Sequence, residues 1–213
     1  MNKFWNLIML ALPLQLAFVP APAGGMQSNG FALAIVIMIG MVAALAFAGV
    51  TWVRAWKSSF ASALSQPVWM EAAMLVLIVV GLGVAGYLTY VETQSVAPVC
   101  GPVGDCESVQ TSDYSRLFGI LPVGLLGMIG YVAILVAWLW GHFRSDRLAD
   151  YAPLAVHGMA IFGVLFSLYL TFLEPFVIKA VCMWCLSSAV VMTLLMLLSM
   201  PPAMASFVPE AEA

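Results

Sequence analysis

Residues 72–91, AAMLVLIVVGLGVAGYLTYV, run from Ala72 to Val91 without one charged side chain. As a helix rising about 1.5 Å per residue, such a stretch reaches roughly 30 Å, the thickness of the hydrocarbon core of a bilayer. Four further stretches, 31–53, 117–143, 151–173 and 180–209, are equally free of charge. Only 17 of the 213 residues are charged and 64% are hydrophobic, far from the balance of a soluble domain. The expected fold is an all-α membrane protein with five spans. The lipid bilayer is thus the first partner, and no basic tract suggests nucleic acid.

Upstream, Phe4 to Val19 is a weaker sixth apolar run, reaching only about 24 Å as a helix. Lys3 before it and Ala21-Pro22-Ala23 after it make residues 1–23 a signal-like hydrophobic segment, whether cleaved or retained. With Lys3 inside, alternating spans place Arg54, Lys57, Arg144 and Arg147 inside as well, and leave only Arg116 and Lys179 outside, as the positive-inside rule asks. The expected location is the inner (plasma) membrane. The chain then divides into the segment 1–23, an additional transmembrane helix over 31–53, a four-helix core over 69–200, and a cytoplasmic tail over 201–213.

Four cysteines fall into two close pairs, Cys100 with Cys106 and Cys182 with Cys185. On this topology both pairs face the periplasm or exterior, where disulfides persist. The second pair, Cys182-Met183-Trp184-Cys185, puts two thiols three residues apart on one face of a helix expected to begin just after Pro175. There, free backbone N–H groups and the helix dipole stabilise a thiolate, with Lys179 nearby. Structural zinc sites use the same spacing, and two buried cysteines can also serve as small apolar residues. The first pair encloses only Gly101-Pro102-Val103-Gly104-Asp105, a loop too small to gain much from a crosslink and liable to strain it. A strained, exposed disulfide suits exchange. The alternative is a structural disulfide pinning the external segment 93–118.

That segment reads as a lid, with a short helix expected from Ser108 to Phe118. It leads through Ser112-Asp113-Tyr114, Phe118-Gly119 and Pro122 into a helix carrying Gly124, Gly127 and Gly130, a spacing that lets a helix or a flat ring approach the backbone. Trp184 either lines a ring-binding pocket or faces lipid. His157 reads as a hydrogen-bonded structural histidine. No histidine or carboxylate ligand set accompanies the thiols, so no metal is expected.

The joint pattern of C-x5-C, a serine six residues after the second cysteine, Phe-Gly followed by Pro, and a later C-x-x-C resembles the vitamin K epoxide reductase family over roughly residues 69–200. The resemblance implies a four-helix bundle around a quinone, ubiquinone or menaquinone, and a thiol:quinone oxidoreductase that supports disulfide formation. It further implies that Cys100 and Cys106 receive electrons from a thioredoxin-fold partner and pass them to Cys182. Cys185 is then the thiolate facing the quinone, with Ser112, Phe118, Pro122 and Trp184 around the ring. Cys106 is expected to meet the partner and Cys100 to hand over to Cys182. The fused thioredoxin-like domain of some bacterial members is not expected here, which leaves a separate DsbA-like partner. The Asn and Tyr that contact the epoxide in vertebrate members are replaced here by Val123 and Ala189, so quinone reduction is expected rather than epoxide reduction. A DsbB-type protein would carry its two pairs in the reverse chain order. The non-enzymatic reading is a membrane scaffold or metal-binding protein with the four cysteines as ligands.

Overall fold

A computed structural model describes residues 28–57, 68–101, 104–117 and 120–206. The signal-like segment 1–23, Phe118 and most of the tail lie outside the described residues. In chain order the elements are α1 (Ser28–Lys57), α2 (Val68–Gln94), a short α3 (Cys106–Gln110), a 3-10 turn (Asp113–Ser115), strands β1 (Arg116–Leu117) and β2 (Leu121–Pro122), then α4 (Val123–Phe143), a short α5 (Arg147–Asp150), α6 (Ala152–Leu173) and α7 (Met183–Ala205). Five of these helices are long and apolar enough to cross a membrane. The protein is an all-α membrane protein, as its composition predicts.

The core consists of α2, α4, α6 and α7, with α1 laid against α6 and α7. Side-chain size follows the logic of a bilayer, where lipid is as apolar as leucine and helices associate by close packing. Small residues lie inside, including Ala44, Ala48, Ala85, Ala160, Ala189 and Ala203, while Val36, Ile39, Phe47, Ile129 and Phe162 point outward. Tyr131 of α4 joins three helices: its ring fills the space left by Gly81 of α2, and its hydroxyl donates to the Ser188 carbonyl of α7 at 3.2 Å. A Cβ at position 81 runs into that ring, which is fully buried. Gly81→Val is therefore expected to cost about 1–3 kcal/mol through overpacking. An unchanged melting temperature in detergent would contradict this packing.

Polar contacts fix each end of the bundle. At one end the Trp52 indole donates to His157 Nε2 at 3.1 Å, and His157 Nδ1 shares a hydrogen bond with Ser199 Oγ at 3.0 Å. His157 is thus the structural histidine expected, tying α1 to α6 and α7. His142 Nδ1 lies 3.8 Å from Glu71 at the same end. At the other end Gly124 N–H donates to Glu92 Oε2 at 2.9 Å, where α2 and α4 come so close that a Cβ on Gly124 would lie 2.8 Å from Thr89 N.

Three local expectations are corrected. The helix expected over Ser108–Phe118 stops at Gln110, because Thr111, Ser112 and Ser115 turn their hydroxyls back onto the carbonyls of Glu107, Val109 and Ser112, an alternative to helical bonding. A two-residue antiparallel pairing, Arg116 with Pro122 and Leu117 with Leu121, follows. The last helix does not begin after Pro175. Instead α6 continues through a π turn, Glu174–Ile178, that absorbs the N–H missing from Pro175 and ends at Lys179 in a left-handed conformation (φ 59°). Finally, α7 carries Pro201 and Pro202 within its last turns and extends to Ala205, so residues 201–205 belong to the helix instead of the tail.

Candidate functional site

The lid and the C-x-x-C segment meet at one end of the bundle. Asp105 caps α3, accepting the Ser108 N–H at 3.1 Å, and its own N–H donates to the Val181 carbonyl at 3.0 Å. Gly104 permits this contact with φ 122°, and any Cβ there would run into the same carbonyl oxygen. On the far side of the lid Val99 is held twice. Its N–H donates to Tyr87 Oη at 2.8 Å and its carbonyl accepts the Trp184 indole N–H at 2.9 Å, with the two rings 4.5 Å apart. Trp184 is half-buried and is not among the residues that line the cavity beneath the lid. It fastens the residue beside Cys100 to the start of α7.

Cys100 and Cys106 are joined as a disulfide with their Cα atoms 5.8 Å apart, and Cys182 and Cys185 are free thiols. All four belong to one packed cluster with Val84, Leu88, Val109 and Ala180. The pair expected to be exposed is so only in part: Cys106 is fully buried and Cys100 half-buried. Burial thus runs opposite to the order expected from sequence, with Cys106 on the inner side of the lid and Cys100 on the outer. The reason is the amphipathic turn of α3, which buries Cys106 and Val109 together.

Cys182 occupies the N-cap of α7, its sulfur accepting the Cys185 N–H at 3.4 Å. The hydrogen bond with the Cys185 thiol, above all, draws the Cys182 thiol below its ordinary range; burial opposes this, and the Gln110 amide, 3.8 Å from Cys182 Sγ, assists. Lys179 is exposed; the ionisable side chain bonded at the motif is Glu174, whose Oε2 accepts the Cys182 N–H at 2.9 Å. A lowered pKa makes Cys182 reactive at lower pH than a free thiol. Gln110→Ala is expected to move the midpoint of its alkylation rate toward higher pH, measured as iodoacetamide labelling across a pH series. An unmoved midpoint would remove Gln110 from this role.

Beneath the lid, a cavity of about 410 Å³ lies between α2, α4, α6 and α7. Cys185 lines it and Cys182 does not. Its walls are mostly Ala, Leu, Ile, Met and Gly, with Gly130 and Gly158 opening space in which a Cβ would meet nothing within 4 Å. The polar groups on the wall include Glu92, Gln110, Ser112, Ser188 and Glu174. Two buried oxygens, Gln110 Oε1 and Glu174 Oε1, have no hydrogen-bond partner. A flat ring bearing two carbonyl oxygens, or its two-hydroxyl reduced form, fits this combination of apolar walls and unpaired polar atoms. Of the residues expected around such a ring, Ser112 lines the cavity. Pro122 instead caps α4 and is not among the lining residues.

Glu92, Gln110 and Glu174 were not singled out in the sequence. Glu174 carried a signal, since an acidic residue closing a 23-residue uncharged run (151–173) marks either the end of a span or a polar group kept inside it. Nothing local distinguished the two. A second, more polar cavity of about 440 Å³ lies outside the first, and Glu92, Gln110, Ser112 and Ser115 line both.

Residues 72–200 match the model of the vitamin K epoxide reductase family. The chain belongs to that family. No solved structure matches the chain. Members of the vitamin K epoxide reductase family are membrane thiol oxidoreductases that work through cysteines, in general linked to a quinone and a redox partner. The protein is accordingly a multi-pass membrane protein of oxidoreductase type. A metal-binding scaffold is not favoured: among the described residues no group of three or more His, Cys, Asp or Glu could hold a metal ion.

Proposed function

We propose that the protein is a thiol:quinone oxidoreductase of the inner (plasma) membrane that oxidises a separate thioredoxin-fold, DsbA-like partner and so supports disulfide formation outside the membrane. The observation that carries this reading is one packed cluster of four cysteines of which Cys185 alone lines a ring-sized apolar cavity. Five of the seven basic residues, Lys3, Arg54, Lys57, Arg144 and Arg147, are assigned to the cytoplasmic side, which turns both pairs outward. Residues 69–200 form the working core.

The partner's thiolate attacks Cys100, the more accessible sulfur of the lid, and Cys106 leaves as a thiolate. A second partner thiol completes the partner's disulfide and frees Cys100. Cys106 then attacks Cys182 of an oxidised Cys182–Cys185 pair, and Cys185 leaves as the thiolate beside the cavity. Cys100 closes on Cys106, so the lid is oxidised again and two electrons and two protons reside on the C-x-x-C thiols. A quinone, ubiquinone or menaquinone, supplies the two-electron sink. Ser112 lies at the rim to orient one end of the ring, and the lid excludes water from the sulfurs. Val123 on the wall and Ala189 in the core offer no polar group to an epoxide, which favours quinone over epoxide as acceptor.

The test is turnover: purified protein with either quinone should oxidise a reduced thioredoxin-fold protein. Absence of oxidation with both quinones ends this reading.

A further inference from the structure

Among the described residues Glu174 is the one buried acidic side chain, 2% exposed at the end of α6. Its Oε2 is occupied by the Cys182 N–H at 2.9 Å, three covalent bonds from Cys182 Sγ, while Oε1 has no partner and the side chain lines the same cavity as Cys185. Among the described residues no basic side chain acts on it. The groups around it are the two thiols of α7, with Glu92 of α2 farther along the same wall. A carboxyl with no basic counter-ion and only the Cys182 N–H and the Cys185 thiol as partners is costly to bury, and a π turn that projects it inward is the kind of local irregularity found at working sites.

We infer that Glu174 is the proton-transfer residue between the C-x-x-C thiols and the quinone oxygen. The inference rests on the proposed thiol:quinone activity. In its acid form the carboxyl gives its proton to the nearer carbonyl oxygen of the acceptor. It regains one from the Cys182 thiol as Cys182 and Cys185 close their disulfide. The Cys185 thiol proton goes to the second oxygen. Two thiols and a quinone thus become a disulfide and a quinol, and Glu174 ends as it began. Sulfur and ring oxygen need not touch for the proton to pass, which explains why Cys182, the residue bonded to Glu174, does not itself line the cavity.

The test uses full-length protein, reduced beforehand and mixed anaerobically with a short-chain ubiquinone. Glu174→Gln keeps shape and the acceptor for the Cys182 N–H but cannot release a proton. It is expected to slow quinol formation on the order of 10²-fold, to leave exchange between a dithiol and the Cys100–Cys106 disulfide at the wild-type rate, and to be partly rescued in Glu174→Asp. In reduced protein free of quinone, the infrared difference between wild type and Glu174→Gln should show a protonated-carboxyl stretch that belongs to the wild type alone. Wild-type quinol formation by Glu174→Gln, equal slowing of both half-reactions, or a wild-type spectrum without that band each overturns the assignment while leaving the thiol:quinone reading in place. A wild-type protein that forms no quinol overturns both.

Discussion

Cys185→Ala is expected to reduce quinone reduction at least roughly 10³-fold, the scale on which removal of a group from a concerted catalytic unit acts, and to trap the handover. With no residue 185 sulfur to be expelled or re-formed, Cys182 keeps its position as the cap of α7; the substitution removes the thiol that most lowers its pKa and leaves the backbone N–H groups of residues 184 and 185 and the Gln110 amide, which lower it too. The Cys182 thiolate attacks the lid disulfide, and Cys106 is the expected target because it is fully buried in the same cluster as Cys182 whereas Cys100 is only half-buried. The product is a Cys106–Cys182 crosslink with Cys100 as the free thiol. Peptide mapping under non-reducing conditions reads both partners directly. A Cys100–Cys182 crosslink would reverse the order of the lid cysteines, and full quinone reduction by Cys185→Ala would remove the residue from the reaction.

Gly104→Val should produce the second large effect by separating the two pairs without touching a sulfur. The residue sits at φ 122°, a region essentially restricted to glycine, and its added carbons point into the Val181 carbonyl that accepts the Asp105 N–H. Strain of this kind costs about 1–3 kcal/mol, and the lid can relieve it only by lifting from the strand-like segment before Cys182. Electron transfer from the lid thiols to the C-x-x-C pair should then slow by about 5- to 150-fold at about 1.4 kcal/mol per factor of ten. Quinol formation from protein whose C-x-x-C pair is already reduced should be unaffected, since α7 and the cavity wall do not depend on position 104. Single-turnover measurements of the two steps separate them, and equal rates for variant and wild type in the first would refute the role given to this glycine.

The helices were legible because a charge in hydrocarbon is costly, so uncharged runs and spans coincide. The same rule misplaced the end of α6. It treats Glu174 as the first residue in water, whereas the π turn around Pro175 directs the carboxyl into the bundle. Trp184 was ambiguous for a related reason: an indole near a span end suits lipid, ring or lid equally, and its choice depends on the Val99 carbonyl 85 residues away in the chain. Pro122, placed near the ring by the family resemblance, is found as the cap of α4 and not among the lining residues, because a motif position does not say which side of a turn faces inward. Lys179 was likewise credited by sequence distance alone with supporting the thiolate.

From the sequence alone follow the five apolar helices and the two sulfur couples with their family-specific spacing, because span length and motif spacing are properties of the chain taken locally. Only the tertiary structure decided that the couples share one cluster, that Cys106 lies inside and Cys100 outside, and that Glu174 and Gln110 present unpaired oxygens to a cavity beside Cys185. Those facts arise from contacts between segments far apart in sequence, where packing and hydrogen bonding, and not the local run of residues, choose which face of each element turns inward.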